Sequence, residues 1–85
     1  MEIIYSSKFE REYRRLSSDL KLSAKKKEKI FRKNPFYPSL NTHKLSGKLD
    51  DLWSFSVDYR TRIVFEFSKK DIVFFLSVGN HDIYK

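Results

Sequence analysis

The sequence predicts an α+β domain in which a strand and one or two helices precede three or four antiparallel strands, with the helices on one face of the sheet. Two patterns carry this prediction. Apolar residues recur at the period of a helix in the first half of the chain, whereas they alternate with polar residues in the second half, as in a half-buried strand. Asn34-Pro35 separates the halves, because a proline disfavours helical geometry in the residue before it.

The N-terminal third is predicted to be helical after a short opening strand over residues 2–5. Ser7 and Glu10 have the spacing of a capping box, which would start the helix. The chain stays rich in helix-forming residues as far as Lys33, and a break near Ser23 would divide it into two helices. One helical face carries the apolar residues Phe9, Tyr13, Leu16 and Leu20.

The second half of the chain has the pattern of a sheet. Residues 61–68 place Ile63, Phe65 and Phe67 on one face, and Lys69-Lys70-Asp71 turns the chain. Residues 72–78 are apolar on both faces, which predicts a central strand. The first strand of this half, which precedes residues 61–68, is predicted to have one buried face, formed by Trp53, Phe55, Val57 and Tyr59.

Length and composition favour one small cytoplasmic domain. The chain has 85 residues and no Gly/Ser-rich linker, so we expect a single domain over residues 1–85. It has no cysteine, which excludes disulfides and thiolate metal sites and fits a reducing compartment. The longest apolar stretch, residues 72–76, is too short to span a bilayer, so we expect no membrane segment.

The charge of the chain favours an anionic partner. The formal net charge is +7, and clustered lysines and arginines release counterions when they meet phosphates. Residues 1–33 hold 11 Lys/Arg against 5 Asp/Glu, whereas residues 34–85 hold 7 against 6. The positive surface therefore belongs mainly to the predicted helices, and it would suit either a nucleic acid or an acidic protein.

Three residues could carry metal-free cleavage of RNA: His43 in HKLSG, Arg62 in DYRTR and His81 in GNHDIYK. Such cleavage uses the ribose 2'-hydroxyl as nucleophile and needs a base, an acid for the leaving 5'-oxygen and a cation for the developing phosphorane charge. Histidines titrate near neutral pH and can serve as base and acid, and an arginine can bind phosphate oxygens through a bidentate fork. With two histidines outside any metal-ligand spacing and only two glycines, no metal site and no cofactor are predicted.

Four further residues are expected to contact the substrate: Lys44, Trp53, Arg60 and Tyr84. Lys44 adjoins His43, and Tyr84 is three residues from His81. Structural roles remain open as well. Arg60 and Arg62 could pair with Asp58 or Glu66 on a solvated strand face, and Trp53 could belong mainly to the core.

The ordered stretches HKLSG, WSFSVDYRTRIVFEF and FFLSVGNHDIY resemble the C-terminal half of toxins of the RelE/ParE superfamily, above all its YoeB-like and YafQ-like branches. The resemblance covers nearly the whole chain if the opening strand and helices are included. It implies a twisted antiparallel sheet with a two-helix hairpin on one side. It also implies cleavage of ribosome-bound mRNA and a cognate antitoxin that blocks the site.

The resemblance also implies roles for single residues. His81 matches the C-terminal catalytic histidine, a general acid, and Arg62 matches the strand arginine that holds the scissile phosphate in the YoeB-like enzymes. His43 matches a histidine of the YafQ-like site. Two positions depart from the pattern: the YoeB-like general base, a glutamate, has no counterpart around Pro38-Ser39-Leu40, so His43 could replace it, and Ser77 stands where YafQ-like enzymes have an arginine.

The sequence therefore predicts a toxin of a type II toxin-antitoxin system that acts as a metal-free endoribonuclease, with mRNA, the ribosome and an antitoxin as partners. Two alternatives remain open. One is a ParE-like toxin that inhibits DNA gyrase without cutting RNA, and the other is a basic module that binds nucleic acid or protein. A pure binder has no need of His43, His81 and Arg62 together, so their joint presence favours the nuclease.

Overall fold

The computed structural model of the protein describes residues 1–46 and 51–80. Within these ranges, no helix has the length and apolar character needed to cross a membrane. A short 3-10 turn, Pro38–Leu40, follows the helices. The helices and strands in chain order are β1 (Glu2–Tyr5), α1 (Ser7–Arg14), α2 (Ser18–Lys33), β2 (His43–Lys44), β3 (Trp53–Ser56), β4 (Thr61–Phe67) and β5 (Ile72–Asn80).

The strands form one five-stranded sheet in the order β1-β5-β4-β3-β2. The predicted α+β class and order of elements are confirmed, but the sheet is mixed rather than antiparallel throughout, because β1 pairs with β5 in parallel, Glu2 opposite Ile72. The other pairs are antiparallel. Apolar alternation along a strand shows which face it buries and not which strand lies beside it, so the position of β1 had no signal in the pattern.

Two serine caps define the helices. The Ser6 hydroxyl accepts a hydrogen bond from the Phe9 N–H at 3.0 Å, so α1 is capped one residue earlier than predicted from Ser7. Ser17 caps α2 by accepting from the Leu20 N–H at 3.2 Å. The helical hairpin therefore breaks between Arg14 and Ser18 and not near Ser23, because the Ser17 side chain satisfies one of the free N–H groups at the start of a new helix.

The core lies between the helices and one face of the sheet. Phe31 of α2 is fully buried, with its ring centroid 4.9 to 5.4 Å from those of Phe55, Phe65 and Phe75 on three strands. Phe9 of α1 joins the same cluster, its centroid 5.6 Å from Phe75. Both helices bury side chains in this one cluster, which confirms that they cover one face of the sheet.

The strand predictions hold with one correction. β5 lies between β1 and β4, as its two apolar faces predicted. The chain turns before it, with the Ile72 N–H donating to the Lys69 carbonyl at 2.9 Å. β3 ends at Ser56, however, so Tyr59 is in the following turn and is 80% exposed instead of buried.

Candidate active site

Arg62 lies on the face of the sheet opposite the main core. Its cross-strand partners are Ser56 on β3 and Gly79 on β5, so the three residues form one row across the sheet. The next residue along β4, Ile63, points the other way and is buried in the core. The Arg62 backbone is therefore paired with a strand on each side.

The Arg62 guanidinium is anchored at one nitrogen and otherwise lacks partners among the described residues. Nη1 donates to the Ser56 hydroxyl at 2.6 Å, whereas Nε is buried with no hydrogen-bond partner. In ranges 1–46 and 51–80, no carboxylate lies within 4.0 Å of Arg62. An arginine always carries its charge, so this cation retains a strong capacity to bind an anion.

Asp58 does not neutralise Arg62, although pairing with Asp58 or Glu66 was the alternative role for this arginine. The Asp58 carboxylate accepts hydrogen bonds from the Arg60 N–H at 2.9 Å and the Thr61 N–H at 2.6 Å. Burial raises the pKa of Asp58, but these two bonds, together with the Thr61 hydroxyl and the Arg60 charge, outweigh it and hold the pKa below its usual value. Asp58 thus shapes the turn between β3 and β4.

Arg62 lines a depression at the end of the sheet that has a volume of about 440 Å³. We call it the Arg62 depression. Lys27 reaches it from α2 and donates to the Ser39 carbonyl at 3.3 Å. The Arg62 depression thus holds two cations and one carboxylate, Asp58. Its lining comprises Lys27, Pro38, Ser39, Asn41, Ser56, Val57, Asp58, Tyr59 and Arg62.

His43 lies on β2 beside this depression, opposite Ser54 of β3. Its Nδ1 is 3.0 Å from the carbonyl of Asn41, which itself lines the Arg62 depression. A carbonyl oxygen only accepts hydrogen bonds, so Nδ1 carries the proton and Nε2 of the neutral ring keeps its lone pair. Nε2 is 3.5 Å from the Ser54 hydroxyl, a long contact that leaves it able to accept a proton.

The structure separates the predicted substrate contacts into two regions. Arg60 is in the exposed turn beside the Arg62 depression, with its guanidinium carbon 5.3 Å from the centre of the Tyr59 ring. Lys44 on β2 is opposite Trp53 on β3. Trp53 is at the other end of β3 from Ser56, three residues away. Trp53 is half-buried and packs on the core, and neither residue lines the Arg62 depression.

His81 and Tyr84 are outside the described residues, so their predicted roles stay predictions. β5 ends at Asn80, whose cross-strand partner Thr61 immediately precedes Arg62.

A second polar cluster occupies the edge of β5. The Glu12 carboxylate of α1 accepts from the Ser77 hydroxyl at 2.7 Å and the Val78 N–H at 3.1 Å, and Lys8 Nζ lies 2.8 Å from the Ser77 hydroxyl. Burial raises the pKa of Glu12, but these hydrogen bonds and the Lys8 charge outweigh it and lower the pKa. Ser77 therefore has a cation beside it, although it is not itself an arginine.

Sequence reasoning missed Lys27, Ser56 and Tyr59 as parts of the site. Lys27 belongs to a run of three lysines, and nothing in that run marks which one reaches the sheet. Tyr59 was assigned to a buried face by alternation alone. Ser56 did carry a usable signal, because a polar residue six positions before Arg62 on the adjoining antiparallel strand is well placed to be its cross-strand partner.

Two other regions do not match the chemistry of the Arg62 depression. A groove between α1 and α2, with a volume of about 330 Å³, is floored by Phe9 and Tyr13 and bordered by charges of both signs, and it holds none of the predicted site residues. Within ranges 1–46 and 51–80, no three His, Cys, Asp or Glu residues cluster as metal ligands.

The fold is shared with solved toxins. The YoeB/ParE toxin of Agrobacterium tumefaciens superposes with a TM-score of 0.81 at 15% identity, over 95% of this chain and 99% of that one. A metal-bound toxin of Helicobacter pylori gives 0.76 at 26% identity, over 96% of both chains. A chain of the E. coli DinJ-YafQ toxin-antitoxin complex gives 0.67 at 17% identity, over 95% of this chain and 92% of that one.

No protein-family model and no curated protein match the sequence. The protein nevertheless has the fold of the RelE/ParE toxin superfamily, as the ordered HKLSG, RIVF and GNHD stretches predicted. Among its members, the chain is similar to toxins of the YoeB and YafQ types.

Proposed function

We propose that this protein is the toxin of a type II toxin-antitoxin pair and a metal-free endoribonuclease that cleaves mRNA on the ribosome. The observation that carries the proposal is the Arg62 guanidinium. It is fixed by Ser56, has no carboxylate partner among the described residues, and faces an open depression that also contains Lys27. A phosphodiester supplies the negative charge and paired oxygens that such a group binds.

The proposed reaction is a transesterification. The ribose 2'-oxygen attacks the adjacent phosphorus as its proton passes to a base, and the bond between phosphorus and the 5'-oxygen breaks as that oxygen takes a proton from an acid. The products are a 2',3'-cyclic phosphate and a 5'-hydroxyl. Charge builds on the phosphoryl oxygens in the transition state, where a positioned guanidinium is most effective.

Arg62, His43 and His81 carry out the three chemical steps of the proposed reaction. Arg62 binds the scissile phosphate, and His43 accepts the 2'-hydroxyl proton at Nε2, which carries the lone pair of the neutral ring when Nδ1 donates to the Asn41 carbonyl. His81 protonates the 5'-oxygen, and the strand that leads to it ends at Asn80, opposite the residue before Arg62. Arg60 and Tyr84 hold the neighbouring nucleotides.

The exposed ring of Tyr59 offers a stacking surface for a base next to the scissile phosphate. It is 80% exposed and lines the Arg62 depression, and Arg60 lies over the ring. Stacking on an aromatic side chain suits single-stranded RNA, whose bases are free to leave the helix stack. Such a site would accept mRNA more readily than duplex nucleic acid.

The proposed partners follow from charge. The lysines and arginines of α1 and α2 would meet phosphates of ribosomal RNA during cleavage and an acidic segment of a cognate antitoxin at rest. The similarity to a chain of the DinJ-YafQ toxin-antitoxin complex supports the second partner. Ribosome-bound mRNA as substrate places the proposed activity in the cytoplasm.

Primer extension tests the function. A defined mRNA is incubated with ribosomes and purified protein, and wild type is compared with Arg62→Ala and His81→Gln. We expect discrete cuts with wild type and a loss of at least a hundredfold in each variant. Circular dichroism melting confirms that the variants are folded.

Two outcomes contradict the proposal. Cleavage that survives both substitutions would show that the site is elsewhere. Absence of cleavage by folded wild type, together with inhibition of supercoiling by DNA gyrase, would favour the ParE-like alternative.

A further inference from the structure

We propose that an aromatic patch at the other end of β3 from Ser56 binds a base of single-stranded RNA by stacking. The patch consists of Phe36, Trp53 and Phe67. The proposal rests on the ribonuclease function above, because it assigns a second contact to the same substrate, outside the Arg62 depression.

The three rings form an open cluster. The centroids of Phe36 and Phe67 are each 5.6 Å from that of Trp53, at interplanar angles of 76°, and they are 6.0 Å from each other at 29°. Phe36 is 54% exposed and Phe67 is 37% exposed. Exposed rings grouped in this way are uncommon on a small domain unless they meet a partner.

The patch is held in place by its surroundings. Trp53 and Phe67 are on strands β3 and β4. Phe36 is in the loop after α2, where its N–H donates to the Asn34 side-chain oxygen at 3.0 Å and the Thr42 hydroxyl donates to the Pro35 carbonyl at 2.5 Å. Rings that are already ordered lose little conformational entropy when a base stacks on them.

Lysines on neighbouring elements give the patch a positive border. Lys44 is opposite Trp53 in the sheet. Lys69 and Lys70 are the second and third residues after the end of β4. Lys33 ends α2, three residues before Phe36. All four are exposed, and among the described residues none of them forms an ion pair.

Among the described residues, three carboxylates adjoin the patch in the sequence. Glu66 precedes Phe67 on β4, so its side chain points to the other face of the sheet. Asp71 is engaged by the N-terminal ammonium group at 3.0 Å, and Asp51 is exposed two residues before Trp53. Aromatic faces among lysines are the surface that single-stranded RNA uses, with phosphates on the cations and bases on the rings. Trp53 and Ser56 are three residues apart on β3, so their side chains point to opposite faces of the sheet. An RNA strand bound at both sites therefore passes around the edge strand β2, which carries Lys44.

Trp53 is the single tryptophan of the chain, so its fluorescence reports directly on the patch. The probe is a 2'-O-methylated oligoadenylate of about ten nucleotides, which cannot be cleaved by 2'-hydroxyl attack. Inorganic polyphosphate is the control, because it carries negative charge without bases. We expect the oligonucleotide to quench Trp53 saturably and polyphosphate to leave the fluorescence nearly unchanged.

The variant Phe36→Ala is expected to weaken oligonucleotide binding about tenfold, the usual scale for loss of one stacked ring. Tyr37→Ala is the matched control, because Tyr37 is also an exposed aromatic residue of this loop, at 50%, and lies outside the patch. It should bind as wild type does. Melting curves establish that both variants remain folded.

The inference is overturned by equal quenching by polyphosphate, by unchanged affinity of Phe36→Ala, or by tighter binding of an acidic peptide than of the oligonucleotide. A dimer in sedimentation that is dissociated by Phe36→Ala would also overturn it and assign the patch to a second copy of the chain.

Quenching of Trp53 in Arg62→Ala, with cleavage lost, is the result expected if both proposals hold. Quenching without any cleavage by wild type contradicts the ribonuclease alone, and cleavage without quenching contradicts the patch alone.

Discussion

Ser56 and Arg62 are cross-strand partners on β3 and β4, and the Ser56 hydroxyl accepts a hydrogen bond from Arg62 Nη1 at 2.6 Å. This bond orients a guanidinium that no described carboxylate neutralises. A serine can hold the group without cancelling its charge, whereas an aspartate at the same place would compete with a phosphate. The pair therefore presents a fixed and available cation.

Substitution of this pair separates charge from orientation. Arg62→Ala should lower kcat by about a hundredfold or more, because it removes the group that stabilises the phosphorane charge. Ser56→Ala keeps the charge and should lower kcat by only about two- to tenfold, with little change in KM. Multiple-turnover cleavage of mRNA on ribosomes at several substrate concentrations gives kcat and KM for both variants. Equal losses in the two variants would indicate that Ser56 does more than orient Arg62.

The tautomer of His43 makes it the candidate base. His43→Gln removes the nitrogen that accepts the 2'-hydroxyl proton and should lower the cleavage rate about a hundredfold. Ser54→Ala is the companion variant, with a small effect, since the contact from His43 Nε2 to the Ser54 hydroxyl is long at 3.5 Å. Cleavage by folded His43→Gln at the wild-type rate would exclude His43 as the base.

Lys27 should contribute to RNA binding through its charge. Lys27→Ala is expected to weaken binding to unrelated RNA sequences by a similar factor and to reduce the slope of log affinity against log salt by about one. Lys26→Ala removes the same charge at the neighbouring position. The Lys26 side chain does not line the Arg62 depression. Fluorescence anisotropy at several salt concentrations should show the smaller change for Lys26→Ala, and equal changes would place the RNA elsewhere on α2.

Glu12 should make stability depend on pH. Its pKa is lowered in the folded state, so the carboxylate stabilises the fold above the ordinary glutamate pKa, and this contribution is lost as pH falls through the folded value. Glu12→Ala should therefore lower the free energy of unfolding by about 2 kcal/mol at pH 7, the scale of hydrogen bonds to a charged group. Denaturant titrations should show the difference from wild type shrinking below about pH 4. A difference in the free energy of unfolding between wild type and Glu12→Ala that is the same at pH 7 and below about pH 4 would contradict this role.

Local patterns in the sequence predicted much of the fold. The end of α2 at Lys33 follows from Asn34-Pro35, and alternation correctly placed Phe55 and Val57 in the core. The parallel pairing of β1 with β5 could not be predicted in this way, because it depends on which strands meet after the helices have packed.

The site was predictable to a similar degree. Arg62 stands out as a charged residue within an apolar strand. The approach of Lys27 to it depends on the path of the Pro38–Leu40 turn, which brings the Ser39 carbonyl within reach of Lys27. Alternation also assigned Tyr59 to the core, because the pattern continues past the residue at which β3 ends.

The chemical ends left by cleavage distinguish attack by the ribose 2'-hydroxyl from attack by water. Products of the reaction on ribosome-bound mRNA are isolated and their termini are identified by mass spectrometry. Attack by the 2'-hydroxyl, with Arg62 holding the phosphate, predicts a 2',3'-cyclic phosphate or its opened 3'-phosphate on one fragment and a 5'-hydroxyl on the other. In Arg62→Ala these ends should be about a hundredfold less abundant or rarer still. A 3'-hydroxyl paired with a 5'-phosphate would contradict the account, because it requires water and not the ribose as nucleophile.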